Sequence, residues 1–155
     1  VDSPAALYKS PINVFVGGFI GSPQMNFVNV TLNKKQDSVY AEFENTSIKL
    51  SEAHARNQEL QKYIGKEVIL GIRPEDIHDE PAMVSANPST TTDAYVEVTE
   101  MMGAETYLYL KIGEIPFVSR VNQRSTTKAE ETVKVAFDVN RIHLFDKDTE
   151  LAILH

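Results

Sequence analysis

The chain of 155 residues has no cysteine. Without thiols, a disulfide framework, a thiolate zinc site and a cysteine nucleophile are all excluded, and nothing asks for an oxidising compartment. Basic residues are scarce, 15 against 22 Asp and Glu, for a formal net charge of −7. No Lys/Arg cluster stands out, so a protein that tracks phosphates along nucleic acid or sits on an anionic membrane is disfavoured. Long apolar runs are missing as well, and no signal peptide or spanning segment can be drawn. The cytosol is the expected compartment, and the sequons at Asn29 and Asn45 carry little weight. The chain opens at Val1 with neither an initiator Met nor a targeting segment, so a fragment of a longer chain is expected.

What is present is ordinary for a packed protein: 42% apolar and 24% charged residues, enough for one domain with a real core, or one domain plus a short appendage. Ser3-Pro4 begins a short helix that Pro11 stops, and Asn13 caps a second, in which Val14 to Gly21 is apolar almost all round. Ser22-Pro23 punctuates the chain, and from Met25 the pattern changes to period two. This places a boundary between a helical segment, 1–22, and a β-rich domain, 23–155.

Strand signals then follow closely: 26–32 and 39–43 as a hairpin turning at 33–37, a short strand at 48–50, and the continuous apolar run 68–72 as a central strand. Between them Ser51 caps a segment, either an amphipathic helix or an extended loop, whose Ala53, Leu60 and Ile64 are expected to face the core before Gly65 ends it. The Pro-, Ser-, Thr- and Asn-rich stretch 78–93 reads as a long exposed loop. Strands at 95–100, with Val96 and Val98 on one face, 106–112 and 116–121 follow, turned by Gly103 and Gly113. Val133, Val135, Phe137 and Val139 alternate with polar or small neighbours, and 143–145 closes the core. Many short strands at close spacing argue for a mainly β protein, an OB-like antiparallel barrel that is closed or nearly so, with a short N-terminal helical segment.

No catalytic constellation is legible. A phosphate-cradling loop needs a glycine before its Gly-Lys and a Ser or Thr after, because backbone N–H groups must approach the phosphates. Gly65-Lys66 is followed by Glu67 and has no such earlier glycine, while Gly17, Gly18 and Gly21 follow no strand and fit helix packing instead. The histidines at 54, 78, 143 and 155 lack ligand spacing, and the acidic run 75–80 lacks the glycine and alternation of a calcium loop. Ser22 and Ser51 stand in capping contexts and no Gly-x-Ser-x-Gly turn exists. Glu97, Glu100 and Glu105 are expected to pair with Arg120 and Arg124 across the sheet, and Arg73, at the end of the central strand, with Glu75 or Asp76.

Several segments resemble the ATP-binding subunits of maltose and multiple-sugar ABC importers. Leu70-Gly71-Ile72-Arg73-Pro74-Glu75-Asp76-Ile77 is similar to the block LGIRPED/H of that family's C-terminal regulatory (TOBE) domain. Val1 to Pro11 and Asn13 to Asn26 resemble the end of its nucleotide-binding domain, Gly103-Ala104-Glu105-Thr106 its L-G-x-E-T turn, and His143-Leu144-Phe145-Asp146 its closing x-H-L-F-D. Met101-Met102 before Gly103 departs from the family's Leu. The resemblance implies that 1–22 is a remnant of the nucleotide-binding domain and that the remainder is an OB-like TOBE domain joining two ATPase subunits. It implies no cofactor in this chain, with ATP and Mg held by the whole subunit, and partners in a second copy and in membrane permeases reached through the nucleotide-binding domain, on the inner face of the membrane. Gly71, Ile72, Arg73, Pro74, Glu75, Asp76, Gly103, Glu105, Arg120, His143 and Phe145 are carried as structural or interface positions. Two rivals remain: a sensor of a small oxyanion or sugar, and an OB-type nucleic-acid binder. The second is weak, because Tyr107 and Tyr109 are flanked by Thr106 and only Lys111.

Overall fold

The computed structural model describes residues 24–153. The two N-terminal helices and the boundary expected near residue 22 lie outside the described residues. The described chain is mainly β and antiparallel, a nearly closed barrel of the expected OB-like type whose ten strands fall into two five-stranded sheets.

The first sheet has the order β10-β4-β1-β2-β3, from β1 (Asn26–Lys35), β2 (Ser38–Phe43), β3 (Thr46–Lys49), β4 (Glu67–Ile72) and β10 (His143–Asp146). The second has the order β5-β9-β6-β7-β8, from β5 (Ile77–His78), β6 (Thr91–Met102), β7 (Glu105–Ile112), β8 (Ile115–Asn122) and β9 (Thr132–Phe137). The run 68–72 is central as expected, paired with β1 on one side and β10 on the other. Period-two alternation puts Val28, Val30 and Leu32 of β1 and Leu108, Leu110 and Ile112 of β7 into one buried core. Phe43, Phe117 and Phe137 link the sheets through that core, with successive ring centroids 5.8 Å apart.

Four expectations need correction. The first hairpin is tighter than 33–37, because β1 runs to Lys35 and pairs with Ser38, leaving Gln36 and Asp37 as the turn, with Gln36 at φ +57°. The segment capped by Ser51 forms two four-residue helices, Glu52–Ala55 and Gln58–Gln61, because Asn57 interrupts the first and caps the second through Oδ1. Ala53 is exposed and Ala55 faces the core in its place, while Leu60 is buried and Ile64 packs against the core as expected. The stretch 78–93 is no long loop: Pro81 opens a helix to Ala86, Pro88 a 3-10 turn to Thr90, and β6 has begun by Thr91. Proline at the first helical position is the signal that composition alone hid.

The fourth correction concerns β6. Its register with β7 shifts between Val96 and Val98, so a bulge turns the strand and Val98 is 53% exposed while Val96 is buried. Glu131 accepts from the Val96 N–H at 2.9 Å, and Glu130, at φ +67°, donates to the Val96 carbonyl at 2.7 Å. The backbone groups freed by the bulge are thereby satisfied.

Candidate functional site: a charged seam between the sheets

The chain leaves β4 at Ile72 and crosses to the second sheet through Arg73 and the 3-10 turn Pro74–Asp76. Pro74 presets the first position of that turn, and the Asp76 N–H donates to the Arg73 carbonyl at 2.9 Å. The crossover is therefore rigid, and its three ionisable side chains are set at the junction of the sheets. Arg73 and Asp76 are buried, at 5% and 4% exposure.

Each charge meets a group from another element. Arg73 Nη1 lies 3.2 Å from His143 Nε2 on β10. A guanidinium only donates, so Nε2 is the acceptor and the ring proton sits on Nδ1. Burial, reinforced by Arg73, His54 and Arg141, pushes the His143 pKa down to about 4, which keeps the imidazole neutral at pH 7. Asp76 Oδ1 pairs with Arg141 Nε at 3.1 Å, while Oδ2 is buried with no hydrogen bond among the described residues. Burial pushes this carboxyl up to about 6, against the opposing pull of Arg141. Arg120 on β8 bridges Glu105 of β7 at 3.0 Å and Glu75 at 3.7 Å, which ties the crossover to the second sheet.

Neutral contacts complete the seam. Asn26 Nδ2 donates to the carbonyls of Ile72 and Val118 at 3.1 and 2.9 Å, and its Oδ1 accepts from the Val118 N–H at 2.8 Å. Buried Ser119 donates to the Ile77 carbonyl at 2.6 Å. Gly71 lies beneath the rings of Phe27 and Phe145, so an added Cβ would stand 3.1–3.2 Å from both and 2.6 Å from Met25 Sδ. Glycine is thus required by close packing here, whereas Gly103, at φ +72° with open space around it, is required by the turn.

Of the residues singled out in the sequence, Gly71 to Asp76, Glu105, Arg120, His143 and Phe145 converge on this seam, and Gly103 stands apart at the tip of the β6–β7 hairpin. Of the pairings expected between the three glutamates and Arg120 or Arg124, the one found among the described residues is Arg120 with Glu105. Glu97 lies 3.8 Å from Lys111, Glu100 accepts from the Tyr109 hydroxyl at 3.1 Å, and Arg124 makes no ion pair among the described residues. Asp76 takes Arg141 as its paired cation and also feels the positive charge of Arg73, whose Nη1 meets His143. Asn26, Ser119 and Arg141 drew no attention as contact-making residues, because their partners lie between 42 and 92 positions away or, for Arg141, across a crossover no pattern reveals.

A nearly closed antiparallel barrel carrying a buried charged crossover defines the class, an OB-type β module. The chain matches a family model described as MalK OB fold domain over residues 21–77 and a TOBE domain model over residues 70–145, which overlap on the seam. It belongs to the family of OB-fold and TOBE domains found in MalK-type sugar-import ATP-binding proteins. The chain is 40% identical over 153 residues to the multiple sugar-binding transport ATP-binding protein MsmK of Streptococcus mutans, covering 99% of this chain and 40% of that protein. It is 39% identical to the oligosaccharides import ATP-binding protein MsmX of Bacillus subtilis and 38% to the trehalose/maltose import ATP-binding protein MalK of Thermococcus litoralis, again over 99% of this chain and 41% of each. The chain therefore spans about 40% of the length of these relatives. A crystal structure of the cytoplasmic molybdate-binding protein ModG with molybdate bound shares the fold, with a TM-score of 0.56 at 14% identity, covering 81% of this chain and 96% of that one. Among the described residues no helix is long and apolar enough to cross a membrane.

Proposed function

We propose that the chain is the C-terminal regulatory and dimerising part of the ATP-binding subunit of a carbohydrate importer. The observation that carries this reading is the likeness to sugar-import ATP-binding proteins along 99% of the chain. The seam supports it physically, because a scaffold that holds two moving ATPase units must not flex between its own sheets. A prolyl crossover, the Asn26 bridge between the sheets and the ion pairs of Asp76 with Arg141 and of Arg120 with Glu75 and Glu105 give that rigidity.

In the whole subunit, ATP and Mg are bound by a nucleotide-binding domain, hydrolysis drives sugar uptake through membrane permeases, and the assembly sits on the cytoplasmic face of the membrane. This chain contributes contacts and no chemistry, and its partner is a second copy of itself. Equilibrium dialysis against Mg-ATP tests the division of labour: the purified chain retains no nucleotide, and stoichiometric retention would contradict the reading. A sensing role for a small ligand is favoured by one observation, an open cleft on the second sheet.

A further inference from the structure

The described surface carries a cleft of about 930 Å³ on the second sheet, within the range of small-molecule sites. One wall is the segment from Asp79 through the helix Pro81–Ala86, the other is the β8–β9 loop, and the floor is β9. The walls are fastened by one atom. Asp79 Oδ2 accepts from the hydroxyls of Ser125 and Thr127, the latter at 2.8 Å. The loop also closes on itself, since the Lys128 N–H donates to Glu131 at 2.7 Å and the Arg124 N–H to Asn122 Oδ1 at 2.8 Å. The cleft is thus formed before any ligand arrives.

Its lining decides what it accepts. Pro81, Val84 and Val133 give an apolar strip. Around the strip stand directional groups with spare capacity: among the described residues Asp79 Oδ1 makes no hydrogen bond, the Arg124 guanidinium has no carboxylate and the Thr126 hydroxyl has no partner. The charges nearly cancel, with Asp79, Glu80 and Glu131 against Arg124 and Lys134, and Lys134 is already held by Asp93 at 3.0 Å. An oxyanion would meet three carboxylates and one uncommitted cation, and a cation would meet Arg124. A neutral molecule with many hydroxyls and C–H faces suits both the strip and the unused donors and acceptors.

We infer that this cleft is a binding site for a neutral oligosaccharide, held by Arg124 and Asp79 against the Val84–Val133 strip. Such a site on the regulatory part lets a sugar inside the cell report on its own uptake. This rests on the sugar-import reading only for its physiological meaning.

The test is a titration of the isotope-labelled 155-residue chain with maltose, trehalose and maltotriose, followed by amide chemical shifts. At least one sugar is expected to shift residues 79–85 and 122–134 saturably, with no such response to molybdate or phosphate. Arg124→Ala removes an exposed side chain with no ion pair, so the fold survives, and it weakens binding about tenfold, the loss of a hydrogen bond to a charged group. Arg56→Ala, remote from the cleft, leaves binding unchanged. No saturable shift with any of the three sugars, shifts that fall elsewhere, an Arg124→Ala chain that binds equally well, or a response to the oxyanions instead would each overturn the assignment. None of these outcomes touches the scaffold role, which is read by oligomeric state.

Discussion

Asn26 and Val118 are joined as two strand residues would be: the Asn26 side chain donates to the Val118 carbonyl at 2.9 Å and accepts from its N–H at 2.8 Å. One amide thus supplies a pair of ladder hydrogen bonds between β1 and β8, which belong to different sheets. Its Nδ2 also serves the Ile72 carbonyl, at the exit of β4.

Asn26→Ala is expected to leave buried backbone groups without partners and to lower unfolding stability by roughly 1–3 kcal/mol. Asn26→Asp, which keeps the shape but turns the donor into an acceptor facing two carbonyls, costs more at pH 7. Urea unfolding of the three chains checks the order, and an aspartate variant as stable as wild type would refute the account of this contact.

Asp76 and His143 make opposing contributions to stability in mild acid. Asp76 titrates near 6 when folded against 3.8 ordinarily, so the folded chain binds the extra proton and acidification favours folding. His143 titrates near 4 when folded against 6.5 ordinarily, so the unfolded chain binds the extra proton and acidification opposes folding. Between pH 6.5 and 4.5 the two slopes offset each other. Asp76→Asn therefore exposes the histidine's slope and loses stability as pH falls through that window. His143→Gln exposes the aspartate's slope and gains stability. Each change is on the order of 1–2 kcal/mol across the window. Thermal unfolding at a series of pH values reads both signs, and equal slopes in the two variants would contradict the burial account.

Gly71→Ala forces a methyl group towards the rings of Phe27 and Phe145, which meet edge to face with centroids 6.0 Å apart. Met25 can swing aside but two packed rings cannot, so a loss of about 1–3 kcal/mol is expected, with no change in secondary structure by circular dichroism. Gly103→Ala acts differently, through a strained turn with open space around it, at a cost of roughly 1 kcal/mol. A chain indifferent to alanine at 71 would show that the rings give way.

Arg120→Met tests whether the double bridge to Glu75 and Glu105 matters. These carboxylates are partly solvated, so the loss is expected to be small, roughly 0.5–2 kcal/mol by denaturant unfolding. A loss above about 4 kcal/mol would mark Glu75 as left buried and uncompensated.

Strands were legible because alternation is a local property. Val133 to Phe137 and Thr106 to Ile112 could be placed from one side chain to the next, and the centrality of 68–72 followed from its continuous apolar run. What was hidden falls into two kinds. The helix at Pro81–Ala86 was masked by composition, since Pro, Ser and Asn read as loop unless proline is seen as a first-turn residue. The bulge after Val96 depends on a partner loop over 30 residues later, and nothing near Val98 announces that it will be turned outward. The seam was half legible: the residues of the crossover stood out as a block, but Arg141 and Asn26 act across distances in sequence that no spacing argument reaches.

The central claim, that this chain is a scaffold joining two copies of a larger subunit, is tested most directly by sedimentation equilibrium of the purified chain. The account predicts a species of twice the 17.3 kDa chain mass, with an equilibrium unmoved by Mg-ATP. A monomer at every concentration tested would contradict it.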